Sequence, residues 1–229
     1  MQDVRDEAGQ GLLPFYGLGD ESESMAGEPV GAINTALEEL HAAVRENPVV
    51  ADLTRFGLVA FSTSPEVLLP LSDLSQVAQV PGLSAGGCTN YGAAFDHLRS
   101  AIGSDVATLA ADGYRVYRPA VFFFSDGQPT DRGWEAALAR LQDRSWALRP
   151  NIVAFGFGQA DPAVIAKVAT LKAYMAAGGV SAAQALSEWA KVLLNSMLTS
   201  AQKLVSGHPA LALPTATPGL QEIPLDEVA

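Results

Sequence analysis

The sequence is poor in cysteine and in basic residues, and each shortage excludes a class of protein. A single cysteine, Cys88, cannot form an internal disulfide, which excludes a disulfide-built scaffold. The 229 residues include only 14 lysines and arginines against 25 acidic residues, a formal net charge of -11. Because phosphate backbones are held by Lys and Arg side chains, this balance argues against nucleic acid as a partner.

Long apolar runs are also missing. No uninterrupted apolar stretch approaches the roughly 20 residues that span a bilayer, and the opening segment MQDVRDEAGQG lacks the apolar region of a signal peptide. We therefore predict a soluble, cytoplasmic protein that does not bind membranes. The apolar fraction of 48% is sufficient for a sizeable core, but nothing in the sequence indicates an oligomeric state.

Short apolar segments bounded by Gly, Pro, Ser or Asp predict β-strands. Several are apolar on both faces, which is typical of central strands in a covered, mostly parallel sheet. The predicted strands are residues 12–18, 55–62, 66–72, 120–125, 151–158 and 172–177.

Helical periodicity appears between these strands. Apolar residues spaced by three and four predict amphipathic helices at 28–45, 89–102, 130–148, 161–168 and 181–204. The alternation predicts an α/β fold, a Rossmann-like, doubly wound sheet of about six strands with helices on both faces. The pair of strands within 55–72, joined by STSPE, predicts a hairpin that supplies one antiparallel edge strand.

The chain divides by composition into three parts. Residues 1–11 are predicted to be an N-terminal extension and residues 12–206 a single domain. Residues 207–229 are rich in proline and acidic side chains, which predicts an extended or disordered tail. Within it, LALP is a segment that could dock on a neighbouring surface.

Three polar stretches follow predicted strands: DESES (20–24), SAGGCTNYG (84–92) and SDGQPTD (125–131). In open α/β sheets, ligands bind beyond the carboxyl ends of strands, at the point where the strand order reverses. Oxygen donors without Cys or His favour Mg²⁺, Mn²⁺ or Ca²⁺ over zinc, and Mg²⁺ fits best where water completes an octahedron. The candidate metal ligands are Asp20, Ser22, Ser24, Thr89 and Asp126.

The same stretches resemble a known family. DESES, GGCTNYGAAF (86–95) and FFFSDGQPTD (122–131) are similar, in order, to the three motifs of the metal-ion-dependent adhesion site in von Willebrand factor A domains. The resemblance covers about residues 12–204. It extends to a bacterial intracellular subgroup that is associated with tellurite-resistance and stress-response operons.

The resemblance implies a divalent ion at the top edge of the sheet. It assigns hydroxyl ligands to Ser22, Ser24 and Thr89, while Asp20 and Asp126 act directly or through water. In this family an open coordination position accepts a carboxylate from a partner protein. The expected function is therefore cation-dependent protein binding and not catalysis.

Two features depart from the family pattern. Glu23 stands between the two serines, where the family usually has glycine, and Gly17 and Gly19 replace bulky residues of the first strand. If the backbone there is left-handed, Glu23 costs about 1–2 kcal/mol relative to glycine. Otherwise its side chain simply points to solvent.

Other functions stay open on the sequence alone. Asp20 and Asp126 could hold Mg²⁺ in a hydrolase or phosphatase that activates water. Against this, no histidine lies near the motifs, and Ser22 stands where haloacid dehalogenase-type enzymes need a second aspartate. A metal that only rigidifies the loops, or a scaffold with a degenerate, metal-free site, are further alternatives.

Overall fold

The computed structural model describes residues 9–215 and 217–225. The strands are β1 (Gly11–Asp20), β2 (Thr54–Phe61), β3 (Pro65–Ser72), β4 (Arg115–Val116), β5 (Ala120–Ser125), β6 (Asn151–Gly156), β7 (Lys172–Ala176) and β8 (Leu220–Ile223). The α-helices are α1 (Glu28–Arg45), α2 (Pro48–Leu53), α3 (Tyr91–Ala111), α4 (Trp134–Leu141), α5 (Pro162–Val168) and α6 (Ala182–Val205).

The strands form one mixed sheet in the order β3-β2-β1-β5-β6-β7-β8, with β4 paired to the start of β1. Strands β2, β1, β5, β6 and β7 are parallel, which confirms the predicted α/β class. The predicted hairpin is also confirmed, because β3 pairs antiparallel with β2 at one edge. The sheet has more strands than the six predicted, since β4 is only two residues long and β8 lies in the proline-rich segment.

Residues beyond position 206 take part in the packed structure. Strand β8 pairs antiparallel with β7 and closes the second edge of the sheet. Within LALP, the Ala212 N–H donates to the buried hydroxyl of Ser200 in α6 at 2.9 Å, and Leu211 and Leu213 pack on the core. Two parts of the predicted tail, residues 211–213 and β8, thus pack against the rest of the domain. Residues 1–8, 216 and 226–229 lie outside the described residues.

Two helical layers cover the sheet. Side chains of α1, α2 and α6 pack on one face with Phe15 of β1, and side chains of α3, α4 and α5 pack on the other face with Tyr16. Because neighbouring residues of a strand point to opposite faces, β1 is buried on both sides, as its apolar sequence predicts. None of the helices in the described ranges is both long and apolar enough to span a membrane.

Most helices begin and end near their predicted bounds, but α3 is longer and α4 is shorter. Helix α3 continues to Ala111, whereas α4 begins only after Gly133, whose φ of 83° is left-handed. Helix α2 was not predicted, since its six residues are too few to show helical periodicity.

The two glycines of β1 that depart from the family pattern make room for neighbouring side chains. A Cβ at Gly19 would overlap the ring of Phe124, and a Cβ at Gly17 would lie 3.0 Å from Cδ1 of Leu58. The Phe124 ring in turn meets the indole of Trp189 from α6 edge to face, with centroids 4.8 Å apart. The space of the missing side chains in β1 is therefore filled by side chains of both neighbouring strands, Leu58 of β2 and Phe124 of β5.

Candidate metal centre

The predicted ligands lie where the strand order reverses. Strand β1 runs between β2 and β5, and its Gly19 pairs with Phe124 of β5. Asp20 is the last residue of β1, and Asp126 directly follows the last residue of β5. The carboxyl ends of two adjacent parallel strands thus deliver two carboxylates to one edge, as expected at a switch point.

The first loop folds back on Asp20. Its carboxylate is fully buried and accepts a hydrogen bond from the Ser22 N–H at 2.8 Å. A single 3₁₀ turn over Glu23–Met25 follows, and the hydroxyl oxygens of Ser22 and Ser24 come within 3.1 Å of each other. The alternate spacing of the serines therefore places both hydroxyls on the same side of the loop.

Hydrogen bonds connect the first loop to the loop after β5. The Ser24 hydroxyl donates to Oδ1 of Asp126 at 2.7 Å, although the two residues are 102 positions apart. The Ser125 hydroxyl donates to Oδ2 of Asp20 and accepts from the Gly127 N–H at 3.2 Å. Each carboxylate is thus held by a hydroxyl group.

Thr89 reaches the same place from the segment before α3. It is buried, and its backbone carbonyl accepts a hydrogen bond from the Thr130 N–H at 2.9 Å. A Cβ built on Gly127 would lie 3.5 Å from the Thr89 hydroxyl oxygen and 4.0 Å from Oδ2 of Asp20. All five sequence-predicted residues therefore converge at one edge of the sheet.

Burial makes the charges of both aspartates unfavourable. It raises the pKa of Asp20 above its ordinary value; hydrogen bonds from Ser125 and Ser22 oppose this effect, and the nearby charge of Asp126 adds to it. Burial likewise raises the pKa of Asp126, with the Ser24 hydrogen bond opposing it. Neither carboxylate takes part in a salt bridge within the described ranges. A bound cation would favour the charged form of both.

The donor set fits a hard divalent ion, because it consists of hydroxyl and carboxylate oxygens. In the described part of the chain, no group of three or more His, Cys, Asp or Glu side chains is arranged to hold a metal. The predicted ligand set has two carboxylates, so its other protein donors are the three hydroxyl groups. The assignment of Asp20, Ser22, Ser24, Thr89 and Asp126 as ligands stays a prediction.

Glu23 does not strain the backbone. No residue other than glycine has a positive φ in the described ranges, so Glu23 does not occupy the left-handed region. Its side chain is exposed, and its N–H donates to the carbonyl of Gly87 at 3.2 Å. The predicted cost of 1–2 kcal/mol for a left-handed residue therefore does not arise.

The sequence did not single out several residues that shape this edge. Ser125 was missed, although its place directly before Asp126 at the end of an apolar strand was a usable signal. Thr130 and Asp131 open the predicted helix at 130–148, where residues of these types are typical helix caps. In fact Asp131 accepts hydrogen bonds from the N–H groups of Tyr91 and Gly92, at the start of α3.

Comparison with known proteins agrees with this architecture. The family model of the von Willebrand factor type A domain matches residues 18–194. No curated protein sequence matches this chain.

Two groups of solved structures share the fold. The pilus adhesin SpaC from Lactobacillus rhamnosus GG, in an open conformation, has a TM-score of 0.62 at 12% identity and aligns with 83% of this chain and 31% of its own. Proximal thread matrix protein 1 from the mussel byssus, with a zinc-occupied MIDAS motif, has a TM-score of 0.56 at 19% identity over 82% of this chain and 48% of its own. The chain thus spans about half of the mussel protein and about a third of the adhesin.

Proposed function

The chain belongs to the von Willebrand factor type A domain family, and on that premise we propose that it is a protein-binding module whose binding depends on a divalent cation. One observation carries the proposal. The hydroxyl of Ser24, in the loop after β1, donates to Asp126 at the end of β5 at 2.7 Å. The Thr89 hydroxyl, from the segment before α3, lies at the same edge, 3.5 Å from a Cβ built on Gly127. This convergence supports a bound cation, because a cation would offset the cost in stability of concentrating buried carboxylates.

In the proposed site, the hydroxyls of Ser22, Ser24 and Thr89 are ligands, and Asp20 and Asp126 bind directly or hold bound water. The ion is Mg²⁺, with Mn²⁺ or Ca²⁺ as substitutes. When bound, it supplies an open coordination position to a carboxylate of the partner protein. Ser24 and Glu23 are exposed, whereas Asp20 is buried, so a partner reaches the site from the side of the first loop.

Calorimetric titration tests cation binding. We expect wild-type protein to bind Mg²⁺ and Mn²⁺, and Asp126→Ala to bind at least about tenfold more weakly, as is typical when a metal-site group is lost. Zn²⁺ belongs in the titration because the mussel protein holds zinc in its MIDAS motif. Asp161→Ala is the matched control, since Asp161 caps α5 through the Ala163 N–H at 2.8 Å and is not a predicted ligand. No binding by the wild type would refute the proposal.

A metal-free scaffold is the main rival, and one observation favours it. The hydroxyls of Ser24 and Ser125 already donate to Asp126 and Asp20, which satisfies part of their hydrogen-bonding capacity without an ion. This rival predicts the same partner affinity in Mg²⁺ and in EDTA. For the enzyme alternative, a phosphatase and nuclease screen in Mg²⁺ would detect turnover that Asp126→Ala abolishes.

The cellular setting is also a proposal. The resemblance of the motifs suggests a bacterial, cytoplasmic protein of a tellurite-resistance or stress-response system.

A pull-down tests partner binding. Immobilised wild-type protein should retain a partner in Mg²⁺ and release it in EDTA, and the Asp126→Ala variant should retain none. Retention that is equal in all three conditions would contradict cation-dependent binding.

A further inference from the structure

The segment that delivers Thr89 has little regular structure of its own. From Val77 to Asn90 the chain contains neither helix nor strand, yet Thr89 is only 6% exposed. Irregular surface segments are mobile unless other groups hold them. The position of the Thr89 hydroxyl must therefore be fixed from outside this segment.

Thr130 makes three hydrogen bonds with the backbone of Thr89. The Thr130 N–H donates to the Thr89 carbonyl at 2.9 Å. The Thr130 hydroxyl accepts from the Thr89 N–H at 3.2 Å and donates to the same carbonyl at 3.1 Å. Both polar backbone groups of Thr89 are thus held by one residue 41 positions away.

Asp131 holds the other side of the same junction. Its Oδ1 accepts from the Tyr91 N–H at 2.9 Å, and its Oδ2 accepts from the Gly92 N–H at 3.1 Å. These are free N–H groups in the first turn of α3, where a carboxylate also meets the positive end of the helix dipole. A Cβ at Gly92 would lie 2.6 Å from Oδ2 of Asp131, so glycine permits this approach.

We propose that Thr130 and Asp131 are positioning residues that hold the Thr89 hydroxyl at the candidate centre, beside Gly127, before a cation binds. Thr130 and Asp131 belong to the same loop as Asp126. Their hydrogen bonds therefore connect this loop directly to the segment that carries Thr89. A site that is ordered in advance loses less conformational entropy when its ligand binds. The inference rests on the proposed function, because it assigns Thr89 to the cation site.

Thr130→Val tests the hydroxyl, since valine has nearly the same shape. We expect Mn²⁺ affinity, measured by calorimetry, to fall about 10- to 100-fold, the range found when groups that orient metal ligands are removed. Thr130→Ser, which restores a hydroxyl, should recover most of the affinity. Unchanged affinity in Thr130→Val would overturn the inference.

The chain offers a matched control at the opposite end of the sheet. The Thr170 hydroxyl also accepts from a backbone N–H, that of Ile152 at 2.7 Å, and donates to a carbonyl, that of Pro150 at 3.3 Å. Thr170→Val should lower thermal stability as Thr130→Val does, but leave Mn²⁺ affinity unchanged. An equal loss of affinity in both variants would mean that Thr130 acts only through general stability, and would overturn the inference.

A second readout needs no metal. In EDTA, the Thr89 amide should exchange with deuterium faster in Thr130→Val, and the Tyr91 and Gly92 amides faster in Asp131→Ala, because each loses its acceptor. Unchanged exchange at all three amides would also overturn the inference. Failure of the proposed function is distinguishable, since it appears as absence of Mn²⁺ binding in the wild type.

Discussion

Two groups of residues at the carboxyl ends of β1 and β5 are one residue apart in sequence but differ in polarity. We call them the inner, aromatic layer and the outer, polar layer. The inner layer is apolar and buried, and consists of Gly19, Phe124 and, from α6, Trp189. The Phe124 ring of β5 lies where a side chain at Gly19 of β1 would be. The outer layer, with Asp20, Ser125 and Asp126, buries two carboxylates whose pKa values burial raises.

The difference indicates that residues next to each other in the same strands serve stability in one layer and the candidate site in the other. Aromatic packing on the α6 face of the sheet, one residue earlier in both strands, stabilises the fold, because buried rings contribute large apolar area. The polar layer keeps two carboxylates whose charged forms burial disfavours. Proteins commonly sacrifice stability at functional sites in this way. Substitutions in the two layers should therefore have opposite effects.

The largest effect is expected in the aromatic layer. Phe124→Ala should lower the free energy of unfolding by about 3–5 kcal/mol, because it leaves a cavity between β1 and α6. Gly19→Ala should cost about 1–3 kcal/mol through overpacking against the same ring. Denaturant unfolding measures both.

The double variant tests the contact between Gly19 and Phe124. In the Phe124→Ala background the added methyl has space, so Gly19→Ala should cost much less there. If the losses in unfolding free energy of the two substitutions simply add, the close approach of Gly19 to the Phe124 ring is not the cause of the Gly19→Ala effect.

A smaller effect of opposite sign is expected in the polar layer. Asp126→Asn should stabilise the metal-free protein by about 1 kcal/mol, a rise in melting temperature of about 2–4 °C for a chain of this size. The reason is that it removes one of two neighbouring buried negative charges, while the amide oxygen still accepts from Ser24. It should also abolish stabilisation by Mg²⁺. Thermal unfolding with and without EDTA measures both effects.

Asp161→Asn is the control for Asp126→Asn. Asparagine caps helices about as well as aspartate, so the melting temperature should stay close to that of the wild type in both conditions. If Asp126→Asn destabilises the metal-free protein, the contrast between the two layers does not hold.

The smallest effect is expected at Glu23. Glu23→Gly should change stability by less than about 1 kcal/mol, the entropic cost of an added glycine, and should leave cation affinity within a few-fold of wild type. The side chain is exposed and its backbone is not left-handed, so glycine relieves no strain. Calorimetric titration of Mg²⁺ measures the affinity. A large gain in affinity would show that the Glu23 carboxylate interferes with the site.

Local pattern accounts for most of the fold. The segment AVFFFS is apolar on both faces and lies in the centre of the sheet as β5, and the predicted helix at 28–45 is α1. Strand β8 could not be predicted, because LQEI shows no clear alternation and its pairing depends on the free edge of β7. The two residues of β4 are likewise a strand only because β1 lies beside them.

The candidate centre was predictable to the extent that its residues follow strands. Asp20 and Asp126 stand at the ends of recognisable apolar runs, and parallel strands bring such ends together. The role of Asp131 was not predictable in the same way. Its partners, Tyr91 and Gly92, are about 40 positions earlier, and nothing in the local sequence distinguishes a cap for its own helix from a cap for another.

Both borders of the sheet are antiparallel strands accompanied by proline. Pro65 and Pro70 lie within β3, while Pro218 and Pro224 flank β8. Because proline has no N–H group, such borders are poor templates for strands of another molecule. A chain whose residues are 48% apolar should therefore resist edge-to-edge aggregation.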